Sequence, residues 1–153
     1  MKQAGRHSHG IPVTAALGLS CVLALSGPAS SQDQAAPASN LSLELNAMQQ
    51  IDRTCRIVFL ADNRLGTDLS ALSYETVLID TAGKVDRLTL FDFQELPQGR
   101  MRVRQFDLDS ADCGKIGKIL INGAASCKGG GLSGNECIDR LTVTSKTATE
   151  IAG

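Results

Sequence analysis

From Leu41 onward, apolar side chains recur at every second position: Leu41, Leu43, Leu45 and Ala47 alternate with Ser42, Glu44 and Asn46. Successive residues of a strand point to opposite faces, so this period predicts a half-buried β-strand. Cys55, Ile57, Phe59 and Ala61 predict a second inward face. A third strand is predicted over Leu69–Ile79, with Val77-Leu78-Ile79 apolar on both faces, and a fourth over Val85–Phe93 after a turn at Asp80–Lys84. Leu96-Pro97-Gln98-Gly99 is a further turn, Pro supplying the fixed φ and Gly the permissive one. The remaining strands are predicted at Arg100–Leu108, Ile116–Ile121 and Leu141–Thr147. A short helical turn is expected at Ser110–Gly117, capped by Ser110 or Asp112. Seven short strands separated by turns predict an all-β domain over 41–153, a seven-stranded antiparallel immunoglobulin-like sandwich, with a small closed barrel as the alternative.

The first forty residues follow a different rule. Lys2 and Arg6 precede an uncharged, mostly apolar run from Ile11 to Leu25, and small residues with Pro28 follow. That is the layout of a secretory signal peptide, expected over 1–30. The apolar run is shorter than the roughly 20 residues that a spanning helix needs, so no membrane span is expected in the mature chain. Residues 31–40, polar and small with one Pro, are expected to form a flexible linker. Cys21 lies inside the apolar run behind Gly18-Leu19-Ser20, a poor match to the triplet that precedes an acylated cysteine. It is read as an apolar residue of the signal. The expected location is therefore periplasmic or secreted.

Export changes the reading of the cysteines. Removing the signal leaves Cys55, Cys113, Cys127 and Cys137, and an oxidising compartment favours disulfides between them. Four cysteines allow three pairings. Cys127 with Cys137 is preferred, because CKGGGLSGNEC is a short loop whose glycines can fold it back, and Cys55 would then join Cys113. A four-cysteine metal site is disfavoured, since no C-x₂-C pair occurs.

Composition removes further chemistries. The chain of 153 residues carries 15 Lys and Arg against 16 Asp and Glu, a formal charge of −1, which argues against nucleic acid as a partner. Aromatic residues make up 3% and Trp is absent, so stacking platforms for bases or sugars are scarce. The two histidines, His7 and His9, both lie in the signal. Without imidazole, Ser-His-Asp and Cys-His nucleophiles and His-ligated metals are disfavoured, and paired cysteines leave no thiolate. Carboxylate chemistry remains, but no two acids are marked as a pair. Asp107-Leu108-Asp109-Ser110-Ala111-Asp112 departs from a calcium loop where Ala111 and Asp112 stand. No catalytic residue, metal or cofactor is assigned.

Two features suggest binding. Arg100, Arg102 and Arg104 stand at alternate positions, so on a strand they would form a row able to grip a carboxylate or phosphate on a partner. The plainer reading pairs them across the sheet with acids such as Asp86 or Asp92. Gly129, Gly130, Gly131 and Gly134 lie in the cysteine-bounded loop, a candidate binding loop. The layout of export signal, seven strands, FDFQELPQGRMRVRQFDL in the middle and a Cys-bounded glycine loop near the end resembles small exported bacterial proteins of unknown function with an immunoglobulin-like sandwich. The resemblance spans most of the mature chain. It implies a compartment and a fold, and carries no catalytic residue across. The expected function is a non-catalytic binding or accessory module of the cell envelope, with an unidentified protein or envelope component as partner. An inhibitor of an exported hydrolase and a small carboxylate-dependent hydrolase are the alternatives.

Overall fold

The computed structural model describes residues 40–153 apart from residue 133, so the expected signal and all but the last linker residue lie outside the described residues. Eight strands follow in order: β1 (Leu41–Ile51), β2 (Thr54–Asn63), β3 (Leu69–Asp80), β4 (Val85–Leu96), β5 (Arg102–Asp109), β6 (Ile116–Gly129), β7 (Leu141–Ser145) and β8 (Glu150–Ala152). They form two four-stranded sheets, ordered β5-β2-β1-β7 and β4-β3-β6-β8. The fold is a disulfide-bonded sandwich and not a closed barrel.

The period-two residues build the core. Leu41, Leu43 and Leu45 of β1 and Cys55, Ile57, Phe59 and Ala61 of β2 are buried, and β3 and β4 add Leu72, Tyr74, Leu78, Phe91 and Phe93. A register shift lies between Leu45 and Ala47. Such a bulge moves the inward set along by one residue, so Met48 packs on the core where the alternation pointed to Ala47. Phe59 sits at the centre, its ring centroid 5.5 Å from Phe93, 5.9 Å from Phe91 and 6.0 Å from Phe106.

Three departures from the sequence reading have physical causes. Residues 141–147, expected as one strand, end at Ser145, because Ser145 Oγ donates to the Thr149 carbonyl and accepts from the Thr147 amide. Hydroxyls that bond locally compete with a ladder, and here they turn the chain from one sheet to the other. That turn creates the eighth strand, which Thr149 anchors by donating to the Ile116 carbonyl at 2.8 Å. The sandwich is also not wholly antiparallel, since β7 runs parallel to β1 and β8 parallel to β6. Finally, β6 extends to Gly129, past the expected Ile121, because β3 supplies backbone partners as far as Gly129.

Before β6, the short helical turn expected within Ser110–Gly117 is a 3₁₀ turn at Cys113–Lys115, and Asp112 caps it, its carboxylate accepting from the Gly114 amide at 2.9 Å. A four-residue helix, α1 (Glu136–Asp139), carries Cys137.

Candidate functional site

On one side of the sandwich β5, the edge of the first sheet, lies against β4, the edge of the second. Phe106 of β5 stacks on Phe91 of β4, with centroids 4.4 Å apart and planes inclined by 15°. The arginines expected as a row are placed differently from one another. Arg100 precedes β5, whereas Arg102 and Arg104 lie within it and share a face. That face also carries Phe106 and the buried Leu108, so it is the face turned toward the other sheet.

Arg104 reaches across the gap. Its Nε donates to the Phe93 carbonyl at 2.7 Å and its Nη2 to the Glu95 carbonyl at 2.9 Å. The guanidinium thus caps two backbone acceptors at the end of β4 and ties the sheets together without pairing to an acid. Charge-assisted bonds of this kind contribute roughly 1.5–3 kcal/mol where partly buried. Arg104→Ala is expected to lower stability by about 2 kcal/mol in urea unfolding, and a change under about 0.5 kcal/mol would show that the clamp is idle. Asp86 pairs with Arg87 at 2.8 Å, and Asp92 accepts from the Gln94 amide at 2.9 Å. Arg87 also reaches β5, donating to the Asp109 carbonyl at 3.2 Å.

Glu95 leads from this clamp to the glycine loop. A cleft of about 620 Å³ is lined by Asp68, Ser70, Glu95, Lys128, Gly129 and Gly130, among others. The structure therefore brings Gly129 and Gly130 to one end of the molecule beside the segment that Arg104 caps. Glycine at 129 answers to crowding, since a Cβ there would stand 2.8 Å from the Asp68 carbonyl oxygen. Gly131 has φ +77°, a left-handed conformation that side chains disfavour. A Cβ on Gly134 would meet nothing within 4 Å, so that position is open.

Cys127 is bonded to Cys137, and Cys55 to Cys113. The first bond staples the loop, and the second joins β2 of one sheet to the turn before β6 of the other. Tyr74, buried in β3, donates its hydroxyl to the Cys137 carbonyl at 2.6 Å, which satisfies a buried acceptor. Burial pushes the pKa of that hydroxyl well above the usual tyrosine range. Leu132 also packs on the core. The loop is consequently a wall of the cleft, held down on the body at both ends.

On the outer face of the first sheet, Arg56 grips Asp107 through Nε at 2.7 Å and Nη2 at 2.8 Å. The hydrogen bond raises the Arg56 pKa and lowers that of Asp107. Because the carboxylate is depressed in the folded state, its small contribution is present above the unfolded value and fades as pH falls through the folded one. Both groups are solvated, so the pair adds little.

The outer face of the second sheet holds the feature that the sequence reading passed over. Val85, Leu88 and Leu90 of β4 are 57%, 71% and 55% exposed. Leu88 pairs with Val77, Val77 with Leu120, and Leu120 with Ala152, so one apolar row crosses all four strands. The signal was present in VDRLTLFDF, where Leu88 and Leu90 supply a second apolar face beside Phe91 and Phe93.

Among the described residues, no group of three or more His, Cys, Asp or Glu is placed to hold a metal ion, and no helix is long and apolar enough to cross a membrane.

These features define a small, disulfide-stapled, two-sheet β-sandwich with exposed aliphatic side chains along its β4 edge. No protein-family model matches the chain, and no curated protein matches it. Among solved structures it is similar to IrmA from Escherichia coli, with a TM-score of 0.56 and 12% identity over 68% of this chain and 90% of that one. At that identity the likeness bears on the fold.

Proposed function

We propose that the protein is an exported, immunoglobulin-like binding module of the cell envelope that acts without catalysis. The observation that carries this reading is the exposed aliphatic set of β4, Val85, Leu88 and Leu90. Large aliphatic side chains gathered on one solvent-facing sheet edge mark a surface that a partner covers. The reading of 1–30 as a signal supports export, and two disulfides are compatible with an oxidising compartment. The absence of histidine after the signal supports a non-catalytic role. Leu132 and Cys137 hold the glycine loop to the core at two points, which favours a binding module over an inhibitor that inserts a loop.

A photo-crosslinking residue at Leu88, in the exported protein within the cells that make it, tests the reading. A discrete covalent adduct is expected from position 88 and not from Thr142, an exposed residue of β7 in the other sheet. Equal or absent labelling at both positions would remove the proposal.

A further inference from the structure

We infer that the partner on β4 is a second copy of this chain, added antiparallel so that two four-stranded sheets become one sheet of eight, with a two-fold axis at Leu88; this rests on the binding reading above. The argument comes from register. Between Asp92 and Arg87, β4 pairs residue for residue with Ser73–Leu78. The register then shifts, and Ile79 meets Val85 where unbroken pairing would have set Asp86. Ile79 lies two residues beyond Val77, the partner of Leu88, so Val85 falls on the same outer face as Leu88 and Leu90.

The shift makes the strand symmetric about Leu88. Counted along the ladder, Val85 stands two places before Leu88 and Leu90 two places after it. A symmetric pair joins identical surfaces, so each residue must suit the one that the rotation sets against it. Rotation about Leu88 sets Leu88 against Leu88 of the second copy and Leu90 against its Val85. The most exposed aliphatics of β4 are thereby covered in a single row. Arg87 then faces Thr89 of the second copy, which places no like charges opposite each other.

Charge fits as well. The next outer-face position after Leu90 is Asp92, and the rotation carries it to the turn holding Gly83 and Lys84 of the second copy. Each interface then gains two lysine–aspartate approaches. Beyond Asp92 the edge is already engaged, since the Phe93 and Glu95 carbonyls bond to Arg104. The accessible length is thus the symmetric stretch itself. Leucines at an edge strand with neither lysine nor proline between Val85 and Asp92, its Arg87 turned inward to the Asp109 carbonyl, make a template for strand addition.

Light scattering of the purified, oxidised mature protein is expected to give twice the monomer mass. Leu88→Lys, which sets two ammonium groups on the axis, is expected to give the monomer mass with an unchanged circular dichroism spectrum and a melting point that no longer depends on protein concentration. Lys84→Asp and Asp92→Lys are each expected to weaken association at least tenfold, and the double exchange to restore it. A monomer at every concentration, or a dimer indifferent to Leu88→Lys, overturns the inference. So does a dimer whose charge exchanges do not compensate, because the register is then wrong. A monomeric protein that still crosslinks at position 88 to a different polypeptide sinks this inference alone, whereas no crosslink at all removes the binding reading too.

Discussion

Replacing Cys55 and Cys113 together by alanine is expected to cost about 4 kcal/mol, against roughly 3 kcal/mol for the same change at Cys127 and Cys137. The difference follows from chain entropy. The first bond closes a loop of 58 residues and the second one of 10, and a longer loop removes more freedom from the unfolded chain. The first bond also ties β2 of one sheet to the turn that leads into β6 of the other, whereas the second holds a loop beside its own strand. Since a domain of this size is stable by only about 5–15 kcal/mol, loss of the long-range bond consumes much of the margin. Urea unfolding of the two double variants checks the order. A larger loss from the short loop would contradict the argument.

Phe59→Ala is expected to cost about 3–5 kcal/mol, the range for deleting a fully buried aromatic. Phe59 has no exposed surface and touches three rings from β4 and β5. Those rings are fixed by two different sheets, one of them already stacked on another, so they close poorly over the gap and a cavity remains. The thermal midpoint should fall by on the order of 15 °C or more. Phe59→Leu, which retains most of the volume, should fall by less than half of that. Equal losses from the two substitutions would show that ring geometry, and not filled space, carries the interaction.

The sandwich was legible wherever one face of a strand was apolar and the other polar. In β1 that contrast is clean up to the shift after Leu45, whereas in β2 Val58 and Leu60 interrupt it and Arg56 and Asp62 mark the outer face. Strand β4 was located, but its consequence was not read, because apolar residues on both faces leave period two without contrast. The far half of β6, from Asn122 to Gly129, carries no apolar rhythm and exists through the length of β3 beside it. Arginine spacing placed Arg102 and Arg104 on one face, yet spacing cannot say which face. Arg104 turns inward because β4 offers it two carbonyls, and its apolar stem can lie against the neighbouring rings. The register shift at Ile79 and Val85, on which the symmetry of β4 depends, leaves no mark in the sequence.

The shortness of β8 sets a ceiling on growth. Once β4 is occupied, the edge left on that sheet is a strand of three residues, too brief a ledge to recruit another copy. On the other sheet one outer strand, β7, has five residues and turns Thr142 and Thr144 to solvent, and the other is β5, whose Arg104 is tied to β4. Among the described residues, pairing through β4 therefore leaves the second sheet no long edge from which a filament could elongate.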